Sequence, residues 1–449
     1  MAPRVAVVGG GVSGLVAAHR LVEADADVVV YERAPSPGGV IAPPVEVGDL
    51  RLEPGPDSFA ARKHWGPDLA RELGLALEGP GASGAFLWTR AGLVPYLRGV
   101  PFGIPGDVGD VLRWPGLSAR GRLRALGDLV LRNRSREDET LGALLRRRLG
   151  DEATDRAIAP LLAGLHAGDV DRLSAEATFP ELIAWERAQG SLVRGAQAAE
   201  RAARRAAAGP LFQRPRGGMR ALVDALAGRL GHRIRTGTDV LEVSPGAVRT
   251  SDGVDEVDAV VLACRTGDAA SLLGVVAPPD LRRIRSVSTA VVFLVYPSGS
   301  ADALPDATGF VVPRGEAPMT AATFLSRKWP EEAFGDRAVL RCFVGADGSE
   351  DVLEATDEAI VEACSRHLAA ILDLPAPTAW RVHRWPSTMP QYEPGHLDRV
   401  RRIRSALPPG IVVVGADLDG VGVSDLIRAA GEAAREVLLG TGAPRKEPA

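Results

Sequence analysis

Apolar positions along the chain change texture several times. Near the N-terminus, residues 5–8 form a continuous run of Val, Ala, Val and Val, the pattern of a short strand buried on both faces. Glycines follow at once, residues 15–23 then carry helical spacing, and residues 27–31 are a second strand-like run. From about 95 to 208 the pattern is helical and rich in Ala, Leu and Arg, interrupted by Pro101, Pro105, Pro115, Pro160 and Pro180. Beyond it the spacing predicts a helix over 219–231 and short strands over 234–235, 240–243, 247–250 and 259–263, with turns at Gly237, Pro245-Gly246 and Asp252-Gly253. Residues 287–296, 308–312, 319–326 and 338–344 are more β-branched and read as a largely antiparallel sheet separate from the first. Helices over 65–74 and 354–372 and a buried strand over 411–414 complete the predicted elements.

The turn between the first strand and first helix carries Gly9, Gly11 and Gly14 on the G-x-G-x-x-G spacing, with Gly10, Val12 and Ser13 between them. Gly9 permits a tight turn, Gly11 removes a side chain that would hold the backbone off a pyrophosphate, and Gly14 lets helix and strand pack closely. Free N–H groups at the helix start would receive phosphate. Glycine-rich turns also arise for packing alone, so residues 15–39 decide between the two readings. The second strand ends at Glu32, 18 residues past Gly14, where an acid accepts hydrogen bonds from the adenosine ribose. A second glycine pair, Gly38-Gly39, comes soon after, and in this the chain resembles flavoprotein oxidases more than nicotinamide dehydrogenases, which implies FAD as the dinucleotide.

Four further stretches hold candidate chemistry. The turn-rich Gly55, Pro56, Asp57 and Ser58 bring backbone close to a ligand or form an ordinary loop. Arg62 and Lys63 precede the helix at 65, and lysine is scarce in this chain. Leu165 and His166 lie between two glycines in a non-repeating segment, where a histidine touches substrate or simply packs or caps. Near the C-terminus the strand over 411–414 runs into Gly415, Gly420, Val421, Gly422, Val423 and Ser424 and then a helix. That helix is either capped by Ser424 or Asp425 or offers a second free N-terminus to a cofactor.

The length of 449 residues implies two or three structural units. A net charge of −4 gives no case for nucleic acid. Between 113 and 148, however, ten arginines stand against four acids. There Leu141, Leu144, Leu145 and Leu149 share a helical face flanked by Arg146, Arg147 and Arg148. This basic surplus is a solvated face or a surface meeting anionic lipid or substrate. Cys264, Cys342 and Cys364 are too few and scattered for a disulfide framework, and the seven histidines lack metal-ligand spacing, so no metal is expected. The N-terminus does not read as a signal peptide, and no apolar run approaches the ~20 residues that span a bilayer. The expected location is cytoplasmic, with any membrane contact peripheral.

Several motifs together carry a resemblance. These are Gly55-Pro-Asp-Ser-Phe59, Gly164-Leu-His-Ala-Gly-Asp169 with Leu173-Ser174, Gly190-Ser191 with Gly195, Phe310-Val-Val-Pro-Arg314 and Ser326-Arg-Lys-Trp329. Leu340-Arg-Cys-Phe-Val-Gly345, Trp385, Met389-Pro-Gln-Tyr392 and Gly395-His-Leu397 complete the set. In this order, from near the first residue to about 439, the chain resembles the oxygen-dependent protoporphyrinogen and coproporphyrinogen oxidases of the flavin amine oxidase superfamily.

The resemblance implies an α/β fold, α+β overall. A Rossmann-like FAD-binding domain would be built from 1–60, 211–275 and 405–440, and a mixed-sheet substrate domain from 61–94 and 276–404. An inserted, membrane-facing helical domain would span 95–210, leaving 441–449 as a tail. FAD would contact Gly9, Gly10, Gly11, Val12, Ser13, Gly14, Glu32, Arg33, Gly38, Gly39, Gly55 to Ser58, Val240, Trp385 and Gly420 to Ser424. Arg62, Lys63 and Arg314 would answer the substrate's propionates, and Leu165 and His166 would line its pocket. No side chain is assigned as an obligatory base. The implied reaction is six-electron oxidation of a porphyrinogen, with molecular oxygen as acceptor and hydrogen peroxide released. Coproporphyrinogen III is favoured over protoporphyrinogen IX by the actinobacterial-looking, arginine-rich composition. A peripheral membrane surface, a homodimer and a ferrochelatase are the implied partners. Other oxidases or desaturases of the superfamily, and a catalytically silent flavin or porphyrin binder, are the alternatives. The sequence departs from the family in His166, where tyrosine is frequent, in Leu426 for cysteine, and in Cys264-Arg265 for Thr-Pro.

Overall fold

In the computed structural model, residues 2–89, 91–96, 101–131, 136–205 and 209–441 are described. Two of the ten arginines between 113 and 148, Arg132 and Arg134, and the tail from 442 onward lie outside them. The apolar runs at the chain's beginning and end meet in one five-stranded parallel sheet, ordered Ile234–Thr236, Asp27–Glu32, Arg4–Val8, Ala259–Leu262 and Ile411–Val413. Both faces of this sheet are covered. The helices Val12–Glu23, Arg220–Leu230 and Val423–Gly440 pack on one face. The antiparallel strands Val240–Ser244 and Ala247–Thr250, with the helix Thr266–Leu273, cover the other. Central parallel strands must therefore be apolar at every position, which is why residues 5–8 are continuous and not alternating. The C-terminal ends of these strands collect the glycine turns at 9–14 and 415–422 on one edge, the place where such sheets bind ligands.

A second sheet has seven strands, ordered Ala379–Pro390, Ser286–Val295, Val339–Val344, Ala321–Phe324, Gly309–Val311, Phe86–Thr89 and Gly92–Pro95. Its pairs are antiparallel except that between 309–311 and 86–89. The helix Asp357–Leu372 packs on it, starting later than its apolar pattern suggests because Thr356 caps it by accepting from the Ala359 amide. The strand expected over 319–326 stops at Phe324, where the chain turns into the short helix Leu325–Lys328.

The strand Ala379–Pro390 was not predicted. Its Arg, His, Trp and Ser content and two prolines disguise it, and they are tolerated because it is an edge strand paired only with Ser286–Val295.

The middle of the chain is helical, with Leu141, Leu144, Leu145 and Leu149 buried in a shared apolar cluster as expected from their spacing. Beneath that face the arginines behave differently from a solvated stripe. Arg148 is fully buried against Asp128 at 2.5 Å, and Arg147 binds Glu139 and Glu186. No helix among the described residues is long and apolar enough to cross a membrane.

Candidate active site

The first glycine turn has the geometry its spacing requires. Gly9 has φ +108°, and a Cβ there would lie 2.7 Å from the Ala263 carbonyl. A Cβ on Gly14 would lie 1.9 Å from the Gly9 carbonyl, so only glycine lets the helix sit this close to the strand. At Gly11, by contrast, a Cβ would meet nothing nearer than the Gly39 Cα at 4.0 Å, leaving that side of the turn open. No side chain caps this helix at Gly11. Its first-turn amides, at Val12, Ser13 and Gly14, are left for another acceptor. Glu32 accepts from the Gly10 amide at 2.7 Å through one oxygen and from the Ala34 amide at 2.8 Å through the other. The Gly38 amide donates to the Gly10 carbonyl at 2.8 Å, bringing the second glycine pair against the first. Arg33 is mostly exposed and pairs with Asp268 at 3.2 Å.

The segment containing Gly55 to Ser58 is held against the seven-stranded sheet. A Cβ on Gly55 would lie 1.8 Å from the Val40 carbonyl. The Arg341 guanidinium donates to the Gly55 carbonyl at 2.8 Å, and Trp385 Nε1 to the Pro54 carbonyl at 3.2 Å. Asp57 turns its carboxylate inward to Lys328 at 2.9 Å and Arg341 at 2.8 Å, and accepts from Ser58 Oγ at 2.9 Å. Burial pushes this carboxyl up, but the two cations outweigh it and hold Asp57 well below the usual carboxylate range. Its neighbour Glu53 is raised by burial and accepts from the amides of Met219 and Arg220, capping the helix that begins there. Lys328 and Arg341 lie inside the motifs Ser326-Arg-Lys-Trp329 and Leu340-Arg-Cys-Phe-Val-Gly345, yet only the contact with Asp57 shows their role.

At the far end of the chain the final helix, Val423–Gly440, starts at Gly422 with no side-chain cap. Ser424 and Asp425, expected as capping candidates, do other things. Ser424 Oγ is buried with no hydrogen-bond partner, and Asp425 binds Lys63 Nζ at 2.8 and 2.6 Å. Two uncapped helix N-termini, an open glycine face and an orphaned buried hydroxyl are what a dinucleotide with an anionic pyrophosphate fits. The departure at Cys264-Arg265 joins the two sheets. Arg265 binds Asp417 at 3.0 Å, Ser286 Oγ at 2.6 Å and the Ser387 carbonyl, while Asp417 accepts from the Thr266 amide at 2.8 Å and caps the helix beginning there. Val240 packs on the apolar cluster beneath the parallel sheet.

The residues expected at the substrate are placed unequally. Leu165 is 52% exposed and His166 is buried at the end of the helix Ala159–His166. Burial, then the charge of Lys63, pulls the His166 imidazole down to about 4, so this ring is neutral near pH 7. Its Nδ1 has no hydrogen-bond partner. Arg314 is directed to Asp169 at 2.7 Å and to the Asp347 carbonyl. Arg62 is exposed and makes no ion pair among the described residues. Of the three cations, Lys63 is thus electrostatically coupled to His166, and Arg314 is tied to the loop that begins at Ala167. One group among the described residues brings three ligand-type side chains together, His19, Glu23 and Glu72, but the Arg20 guanidinium already binds both carboxylates.

Comparison with known proteins gives the same direction. The coproporphyrinogen III oxidase of Bacillus subtilis (strain 168) is 31% identical over 448 residues, covering 94% of this chain and 95% of that protein. The coproporphyrinogen III oxidase of Mycobacterium tuberculosis (strain ATCC 25618 / H37Rv) is 33% identical over 456 residues, covering 98% of each. A solved structure from Exiguobacterium sp. 255-15 superposes with a TM-score of 0.86 at 31% identity, over 98% of this chain and 99% of that one. Residues 12–438 match the family described as flavin containing amine oxidoreductase, and the chain belongs to that family.

Proposed function

We propose that the protein oxidises coproporphyrinogen III to coproporphyrin III in haem biosynthesis, with FAD as its cofactor. The relatives that bear this name span nearly the whole chain. The observation that carries the reading is structural: two uncapped helix N-termini, at Gly11 and Gly422, stand on one edge of the parallel sheet, and Lys63 is fixed at that edge by Asp425. Bound there, FAD would accept the hydrogen and electrons withdrawn from the macrocycle, and molecular oxygen would carry them off as hydrogen peroxide.

The chain's own residues bind and orient. Amides at 11–14 and 422–424 receive the cofactor's anionic parts, and Glu32 takes the ribose hydroxyls with the lone pairs that Gly10 and Ala34 leave free. Gly55 to Ser58, fixed by Arg341 and Trp385, give the cofactor a rigid backbone neighbour. Leu165 and the neutral His166 ring face the macrocycle, while Lys63 and Arg62 answer propionate carboxylates. Arg314 orders the loop at Asp169 and reaches substrate only by leaving it. The division into cofactor, substrate and helical domains belongs to the same proposal.

A membrane-facing role for the helical part has its own support. Val108, Leu112, Leu123 and Val130 are exposed apolar residues, with Arg120 exposed among them. This combination suits peripheral contact with anionic lipid from the cytoplasmic side.

The function is tested by aerobic assay of the flavin-loaded protein with coproporphyrinogen III and, separately, protoporphyrinogen IX. Porphyrin fluorescence and stoichiometric peroxide, faster with the former, are expected. A yellow protein giving neither would overturn the reading and leave the fold intact.

A further inference from the structure

Tyr392 lies in the stretch Met389-Pro-Gln-Tyr392, which the proposed function leaves without a role. Its side chain is 2% exposed, and its phenol meets two backbone groups four residues apart. The hydroxyl donates to the Ala416 carbonyl and accepts from the Gly420 amide at 2.9 Å. These groups bracket the short helix Ala416–Asp419, after which Gly420, at φ +110°, leads to the uncapped start of the final helix. A phenol is suited to this task because one oxygen both donates and accepts. The Gly420 amide has no other hydrogen-bond acceptor among the described residues.

The rest of Tyr392 faces the opposite wall. Its ring stacks on His396 at 4.1 Å and meets the edge of His166 at 5.7 Å. Its carbonyl accepts from the Ser174 amide at 2.7 Å, and the adjacent Gln391 donates through Nε2 to the His166 carbonyl at 3.0 Å. One buried side chain therefore touches both the helical wall that carries His166 and the turn that delivers residues 420–424.

We propose that Tyr392 is a positioning residue that fixes the 416–420 turn against the cofactor and registers it to the His166 wall. This rests on the reading of residues 420–424 as part of the FAD site. Tyr392→Phe keeps the stacked ring and removes the clamp, so the Gly420 amide loses its acceptor and the turn is free to shift.

The test is titration of apoprotein with FAD, followed by the visible flavin spectrum and the two-electron potential of the loaded protein. Tyr392→Phe is expected to bind FAD roughly ten-fold more weakly, with a displaced flavin band and a changed potential. A structural role alone would lower the melting temperature and leave spectrum and potential where they are. Wild-type loading with an identical dissociation constant, spectrum and potential in the variant overturns the assignment alone. A wild-type protein that takes up no FAD overturns the cofactor site and the assignment with it.

If the variant does not fold, hydrogen exchange on the wild type decides. Adding FAD should slow exchange in 389–394 together with 416–424, although 389–394 contributes no expected cofactor contact. Unchanged exchange at 389–394 overturns the proposal.

Discussion

Lys63 and Asp425, 362 residues apart in the chain, are joined by contacts of 2.8 and 2.6 Å from one ammonium to both oxygens of one carboxylate. The pair closes the far glycine turn against the loop that precedes the helix Trp65–Glu72. It also means that the cation assigned to a substrate carboxylate already has an internal competitor.

Opposite effects on substrate binding are therefore expected from the two partners. Lys63→Ala should raise KM for coproporphyrinogen III about five-fold with kcat little changed, because carboxylate binding far from the reacting carbon is nearly uniform along the reaction. Asp425→Ala releases the ammonium and should lower KM. Steady-state kinetics on both variants checks this, and a shift of KM in the same direction in both removes Lys63 from propionate binding.

Glu32 supports the first glycine turn as well as the expected ribose contact, since its two oxygens take the Gly10 and Ala34 amides. Glu32→Ala should weaken FAD binding by roughly 10- to 100-fold, the effect of leaving two backbone donors and a ribose without an acceptor. Titration of apoprotein with FAD measures it. Full flavin occupancy through purification, with an unchanged dissociation constant, would contradict the role.

How far the sequence carried depended on whether a feature was local. The parallel sheet was legible from 5–8, 27–31 and 411–414 because a strand buried on both faces must be apolar throughout. The glycine turns were legible because close approach and positive φ exclude other residues. The edge strand Ala379–Pro390 was not, since its polar and proline residues are admissible only through its place at the sheet margin. The pairings of Asp57 with Lys328 and Arg341, and of Lys63 with Asp425, join residues hundreds of positions apart and leave no periodic trace. For Ser424 the position before a helix leaves two readings, a cap or part of a free helix start offered to a cofactor, and only its burial without a hydrogen-bond partner removes the first.

Asp57 is the shared anion of a buried cluster, and its loss leaves two cations facing each other in the interior. Asp57→Asn should cost about 3–5 kcal/mol in urea unfolding. The double variant Asp57→Asn with Lys328→Met should recover part of that, because one of the two cations left without its anion is removed and only Arg341 remains. An Asp57→Asn protein as stable as wild type would show that the cluster is solvated in a way its burial contradicts.

The exposed apolar residues Leu123 and Val130 make the membrane proposal testable without touching either glycine turn. Flotation with phosphatidylglycerol-containing vesicles should recover the protein at low salt, less so at high salt, and hardly at all for Leu123→Glu with Val130→Glu. Binding that ignores both substitutions would place the contact elsewhere. Absence of binding at low salt would leave this face simply solvated.

Acid should weaken the fold through two imidazoles at the Tyr392 stack. Burial, followed by Lys63 for His166 and by Arg399 for His396, brings both down to about 4 from an ordinary 6.5. The Asp138 and Asp417 carboxylates oppose this at His396 without reversing it. With folded values below unfolded ones, the unfolded chain binds protons that the folded protein refuses between those limits. Stability is therefore fully present above about pH 6.5 and falls as pH drops toward 4, by on the order of 2–3 kcal/mol per imidazole. Asp57, depressed below 3.8, loses its contribution only at lower pH and does not blur this window. His166→Phe preserves a ring against Phe179 and Tyr392 but cannot titrate, so its loss of stability between pH 7 and 4.5 should be smaller than that of the wild type by the share of one imidazole. His396, His367 and His383, all lowered by burial, and the raised Glu53 titrate alike in both proteins. Urea midpoints at pH 7, 5.5 and 4.5 measure the difference, and parallel pH profiles for the two proteins would show that His166 is already protonated, or already solvated, in the folded state.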